Sequence, residues 1–97
     1  MENVRKLEDL PNIGKAGAAD LRLLGITQAS QLCGKNAYEL YQQLCLATQT
    51  RHDPCVIDVF LSVVRFAEGA PALPWWHYTA ERKQYLAQQA LQKNRHA

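Results

Sequence analysis

Between Asp53 and Gly69 the chain reads DPCVIDVFLSVVRFAEG, and this segment limits the fold more than any other. Asp followed by Pro is a helix-start signal. The Asp side chain accepts hydrogen bonds from first-turn N–H groups, and Pro at the first helical position lacks an N–H that has no partner there anyway. Gly69 supplies the stop. The helix between them is apolar almost all round, with one polar stripe of Asp58, Ser62 and Arg65, joined by Cys55. Such a helix has no solvent face of normal width, so other elements must surround it. In a chain of 97 residues it is therefore expected to be the central helix of a single core. It is too short, and too clearly broken by Asp58, to span a bilayer.

The remaining segments also read as helices, and no stretch alternates apolar and polar residues for long enough to suggest a strand. Asn3 is expected to cap a short first helix that buries Val4 and Leu7 and stops at Pro11. A turn, Pro11-Asn12-Ile13-Gly14, leads into a helix from about Lys15 to Leu24, with Ala18, Leu21 and Leu24 on one face and Gly25 as its left-handed end. Thr27 is expected to cap a short helix to Leu32, broken at Gly34. Asn36 caps the next, whose stripe is Ala37, Leu40, Tyr41, Leu44 and Cys45. Beyond Gly69, Pro71-Ala72-Leu73-Pro74 is a stiff connector. Thr79 is expected to cap a last helix, Ala80 to about Lys93, with only Tyr85, Leu86, Ala90 and Leu91 to bury. Residues 94–97 read as a frayed tail. The expected fold is all-α, one domain over residues 1–97 with five or six helices: a hairpin region over 1–50, then the central helix, connector and last helix over 51–93.

Charge narrows the function classes. Eleven Lys and Arg against nine Asp and Glu give a net +2. Residues 1–50 carry five of each sign, and residues 51–97 carry six basic and four acidic. This excludes a polybasic nucleic-acid tail and leaves room for a weak contact read by shape. The first ten residues hold five charges and no apolar run, and the cysteines number three, an odd count. Both point to a cytoplasmic protein with reduced thiols and no membrane partner.

Leu10-Pro11-Asn12-Ile13-Gly14, with Ala18 four residues on, resembles the helix-hairpin-helix motif. That motif usually has Gly where Asn12 stands. The position needs positive φ, and Asn is the next residue after Gly to tolerate it. Ile13 is expected to staple the two helices and Ala18 to let them pack closely. Gly14 opens the second helix without a side chain over its N–H groups. The resemblance implies a grip on nucleic-acid phosphate by backbone amides, indifferent to base sequence, with the helix dipole in support. Lys15 is placed to reach the same phosphate. The residues expected at this contact are Asn12, Ile13, Gly14, Lys15 and Gly17. A degenerate second copy, Leu24-Gly25-Ile26-Thr27 through Leu32-Cys33-Gly34-Lys35, would add Gly34 and Lys35. The competing reading is a purely structural turn.

The runs LPNIGKAGAADLRLLGI, LYQQLC, RHDPCVIDVF and PWWHYTAERK together resemble a family of small bacterial proteins called pathogenicity-locus or mitomycin-resistance proteins. The resemblance runs from about Leu7 to Lys83. The hairpin part is also similar to the C-terminal domain of competence regulators. The resemblance implies a helical fold, a DNA-binding role and a DNA-damage context. It carries no catalytic residue.

Other constellations are weaker. Cys45, His52 and Cys55 give C-x6-H-x2-C, with His77 and Cys33 as further zinc-ligand candidates, but no C-x2-C pair exists. Cys55 at a helix start is expected to have a lowered thiol pKa. No set of residues suggests catalysis, and no cofactor is expected. Trp75 and Trp76 either stack on unpaired bases or close the core, and the core is favoured for at least one. The leading function is a non-enzymatic, sequence-independent DNA-binding module, most naturally for duplex. The alternatives are a protein-interaction adaptor and a metal or redox sensor using Cys55, His52 and Cys45.

Overall fold

A computed structural model describes residues 4–95, with side chains given through residue 92. The cap expected of Asn3 and residues 96 and 97 of the expected tail lie outside the described residues. In chain order the elements are a 3₁₀ turn Leu7–Asp9, α1 Lys15–Leu23, a 3₁₀ turn Ala29–Leu32, α2 Ala37–Thr48, α3 Cys55–Ala67, a 3₁₀ turn Trp75–Tyr78 and α4 Thr79–Arg95. Among the described residues there are thus four α-helices, three 3₁₀ turns and no strand. The all-helical class agrees with the sequence. The count does not, because the two expected short helices are single 3₁₀ turns, and a third 3₁₀ turn, Trp75–Tyr78, leads into the last helix.

The cap signals are realised where they were strongest. Asp53 Oδ1 accepts from the Cys55 N–H at 2.8 Å, with Pro54 already helical at φ −56 and ψ −19. Asn36 Oδ1 accepts from the N–H groups of Tyr38 and Glu39 at 2.9 and 3.2 Å. Gly25 and Gly69 take the left-handed conformation just past α1 and α3, at φ +87 and +106. Two weaker signals fail. Thr27 is not a cap: Gln31 Oε1 reaches back to accept from the N–H groups of Thr27 and Gln28. Thr79 is not a cap either, because the 3₁₀ turn runs straight into α4 and Thr79 itself is helical at φ −63 and ψ −42.

α3 is the axle. Ile57, Phe60, Leu61, Val63 and Val64 are buried among Leu7, Leu10, Ile13, Ala18, Leu21, Ile26, Leu32, Ala37, Leu40, Leu44 and Tyr78. Each such side chain, fully buried, stabilises by about 1.5–3 kcal/mol relative to leaving it exposed. The polar stripe of α3 is not a solvent face. Asp58 is 0% exposed and Ser62 2%. The Asp58 carboxylate accepts from Arg82 Nε at 2.9 Å, Arg82 NH2 at 3.4 Å and Thr79 Oγ1 at 2.7 Å. This buried pair clamps the start of α4 to α3. Arg65 extends the clamp at the surface through a two-pronged contact with Glu81 at 2.5 and 3.2 Å. The Tyr38 and Tyr85 rings stack with centroids 3.6 Å apart, tying α4 to α2.

Beyond Tyr85 the helix carries little core. Leu86 and Leu91 are exposed, at 37% and 62%, and Ala90 is exposed as well, contrary to the apolar face expected there. The tryptophans are also displaced from the expected core position. Tyr78 is buried instead, with the Arg65 guanidinium 5.9 Å above its ring. Trp75 is half-buried and Trp76 exposed. No described helix is long and apolar enough to cross a membrane.

Two stability predictions follow from the clamp and the cap. Arg82→Ala leaves a buried carboxylate with only a hydroxyl partner, and is expected to cost about 3–5 kcal/mol in chemical denaturation, whereas Asp58→Leu with Arg82→Met together should cost far less. The Cys55 N–H holds the Asp53 carboxyl below its ordinary range. The cap therefore contributes fully above the unfolded aspartate value of about 3.9 and is lost as pH falls through the lower folded value. Asp53→Ala should lower Tm by a few degrees at neutral pH and match the parent in strong acid.

Candidate nucleic-acid interface

The turn between the first 3₁₀ turn and α1 is built by local rules. The Ile13 N–H donates to the Leu10 carbonyl at 3.3 Å. Pro11 occupies the second position and Asn12, at φ +66, the third, which is the pattern of a type II turn. Ile13 is 7% exposed and folds over Gly17, where a Cβ would lie 3.3 Å from Ile13 Cδ1. A Cβ at Gly17 would thus require the end of the Ile13 side chain to give by a few tenths of an ångström. Ala18 is completely buried, as its small size suggested. Gly14 is extended, its carbonyl accepts the Ala18 N–H at 2.9 Å, and nothing lies within 4 Å of where its Cβ would stand. α1 carries no acidic residue in its first turn, and Lys15 is exposed beside it. The N-terminal end of α1 is thus open, and the nearest side chain in sequence is cationic.

Asn12 does more than tolerate the turn. Its Nδ2 donates to Ser62 Oγ at 3.0 Å and to the Leu73 carbonyl at 2.9 Å. Ser62 in turn donates to the Val59 carbonyl at 2.6 Å. Both amide hydrogens of Asn12 are committed inside the molecule, so its side chain offers no donor to a phosphate. The turn is instead pinned to α3 on one side and to the Pro71–Pro74 connector on the other. At the flank, Glu8 and Arg22 form a two-pronged pair at 2.8 and 3.3 Å that joins the first 3₁₀ turn to α1.

The second turn is built differently. The Gly34 N–H donates to Glu68 Oε2 at 3.1 Å. The N-terminus of α2 is filled by the Asn36 side chain, with Glu39 in its first turn. Lys35 is exposed, but the amides beside it already face carboxylate or amide oxygens of the same chain. Gly34 and Lys35 therefore do not form a second open helix end equivalent to Gly14 and Lys15.

Of the candidate ligands the structure brings Cys45 and His52 together, the His52 N–H donating to Cys45 Sγ at 3.5 Å, but gathers no metal cluster. Among the described residues no three His, Cys, Asp or Glu side chains are placed to share a metal ion. The three cysteines are free, with Cys33 exposed and Cys45 and Cys55 half-buried. The Tyr41 hydroxyl donates to the His52 carbonyl. Thr48 Oγ1 donates to the Leu44 carbonyl and lies 2.8 Å from His52 Nε2, so the proton between them belongs to His52. Cys55 lies 3.9 Å from Arg82 NH2, but the Asp53 carboxylate pushes its thiol up, with desolvation in the same direction. The lowered thiol expected from its helix-start position is thus reversed, because the residue that caps the helix is itself an anion. His77 belongs to the 3₁₀ turn Trp75–Tyr78, exposed against the Tyr78 ring.

Two determinants escaped the sequence. Asp58 in an apolar helix signals a buried carboxylate that needs a partner, yet nothing local points to Arg82, 24 positions on. The partners of Asn12 lie 50 and 61 positions away and have no signature at all.

The pathogenicity-locus family Cdd1 matches residues 1–84 of this chain. The chain is also 46% identical over 81 residues to the mitomycin resistance protein McrB of Streptomyces lavendulae, an alignment that covers 84% of this chain and 77% of that protein. No solved structure matches. With most of its length matched by the family and by this relative, the chain belongs to the pathogenicity-locus family.

Proposed function

We propose that this protein is a non-enzymatic module that holds DNA backbone without reading sequence, through a helix-hairpin-helix turn at Leu10–Lys15. The observation that carries the reading is the open end of α1: a helix N-terminus free of acidic side chains, flanked by Lys15, on a turn that Asn12 fixes to two other parts of the fold. Helix N-termini favour anions through unpaired N–H groups and the dipole, and a pinned turn presents them without an ordering cost on binding. The contacting groups are the backbone of Gly14 and its neighbours and the Lys15 ammonium. Ile13, Gly17 and Asn12 shape the turn from behind. A relative named for mitomycin resistance suits a DNA-damage context, and the free thiols suit a cytoplasmic protein. The adaptor reading keeps one observation in its favour, the exposed Leu86 and Leu91 on α4.

Binding to random-sequence duplex is expected to be weak, about 10⁻⁴ to 10⁻⁶ M, and to fall steeply with salt at a slope near −0.9 per phosphate neutralised. Lys15→Glu should remove about one unit of slope. Gly14→Val has room to fold, since nothing crowds its Cβ, and should bind less while melting only slightly below the parent, Val being a poorer N-cap than Gly. No binding at about 50 mM salt, or parent-like binding by Lys15→Glu, would sink the reading.

Asn12→Gly separates the two roles of the turn. Glycine keeps the positive φ but loses the bonds to Ser62 and Leu73, so a stability loss of about 1–2 kcal/mol is expected by thermal or chemical melting. The salt slope of the folded variant should be unchanged.

A further inference from the structure

The indole of Trp76 is 63% exposed, although it belongs to a turn whose last aromatic, Tyr78, is buried. Its own 3₁₀ turn, Trp-Trp-His-Tyr, carries no aliphatic side chain. The indole is not on a loose tip. Trp75, half-buried, packs edge to face against it, with ring centroids 5.6 Å apart and planes at 85°. Pro74 is extended directly before the turn, and the His77 N–H closes the turn onto the Pro74 carbonyl at 3.0 Å.

The position of this turn gives it a use. The Leu73 carbonyl that accepts from Asn12 at 2.9 Å lies only three residues before Trp76. Even a fully extended chain would span only about 10 Å over that distance. Along duplex DNA this is roughly the rise of three nucleotides, at about 3.4 Å each per strand. Between Gly69 and Ala80 the sequence has no Asp or Glu. Of the flanking acids, Glu81 is paired with the Arg65 guanidinium and Glu68 accepts from the Gly34 N–H, so the segment between them carries no carboxylate of its own.

We propose that Trp76 is a stacking platform for an unpaired base, which makes the ligand of the hairpin a junction between duplex and single strand in place of plain duplex. The backbone amides and Lys15 hold a phosphate, and Trp76 takes the face of a base displaced from the helix nearby. Stacking needs no particular base, which matches a hairpin that reads no sequence. This inference rests on the hairpin reading above and adds to it the class of DNA structure recognised.

The test compares three probes under one salt condition: a blunt random-sequence duplex, the same duplex with a short oligothymidine overhang, and the oligothymidine alone. The parent should bind the overhang duplex roughly five- to a hundredfold more tightly than the blunt one, the range expected for one stacked base. Trp76→Ala should bring the overhang duplex down to the blunt value and leave blunt binding unchanged. Trp76→Tyr should restore much of the preference. In a Trp75→Phe protein, whose one indole is Trp76, the overhang duplex should quench fluorescence more than the blunt duplex does. Equal binding of blunt and overhang duplex by the parent overturns this proposal and leaves the hairpin reading standing. Binding of no probe overturns both. Protection of Trp76 from acrylamide as protein concentration rises without DNA would assign the face to a second copy of the chain, and would also overturn the proposal.

Discussion

The carboxylate of Asp58 organises the second half of the molecule. It stands in the first turn of α3, the most apolar of the described helices, fully buried, and an isolated charge there would be prohibitively costly. Arg82 and Thr79 make it tolerable, with a two-nitrogen guanidinium contact and a hydroxyl. The guanidinium is in turn held more firmly in its charged form by the carboxylate. Because both partners belong to α4, the helix has one permitted position against α3. A greasy contact alone would allow sliding. A charge pair with directional bonds does not, and that specificity is what a buried ion pair can supply even where its net contribution to stability is small.

One turn further along the same stripe, Ser62 performs the matching task for the first half. Its hydroxyl oxygen accepts from Asn12 Nδ2, and its O–H donates to the Val59 carbonyl. Asn12 spans from there to Leu73. The hairpin, the central helix and the connector to α4 are thus joined by one side chain, on a residue whose backbone had to be left-handed in any case. This gives Asn12 a role beyond its tolerance of the left-handed backbone. Glycine would satisfy the turn and leave it hinged. Asparagine satisfies the turn and ties it down.

Patterns that act over a few residues were legible in the sequence. The caps at Asn36 and Asp53, the positive φ of Asn12, the end of α1 at Gly25 and the central place of α3 all follow from rules spanning one or two turns of chain. Pairings across the chain were not. The polar stripe of α3 was visible, but its partners 24 and 50 positions away were not, so its burial could not be read. The Cys55 thiol was judged from the helix end alone, and the capping anion reversed the result. For Trp75 and Trp76 the core was favoured for at least one, yet the short 3₁₀ turn buries Tyr78, leaves Trp75 half-buried on the same side three residues earlier, and turns Trp76 out to solvent. Of the candidate site, the first turn was readable because it is local. The second was misleading because Glu68, the residue facing it, is 34 positions away.

The distribution of anchors also explains where the molecule is firm and where it is not. The turn at Asn12, the clamp at Asp58 and the stack of Tyr38 on Tyr85 lie within the segment matched by the family, which ends at residue 84, or immediately beside it. Past Leu86 the described side chains of α4 are exposed, and the helix there relies on Ala, Leu and Gln, residues that favour helix with little help from packing. A helix end supported by propensity alone opens readily, whereas a turn held by two hydrogen bonds and a buried Ile13 does not. The rigid part of the fold is therefore the part that presents the open end of α1, and the phosphate site proposed there would depend on that rigidity. Backbone donors have no side-chain freedom with which to adjust, so they would have to be in place before a ligand arrived.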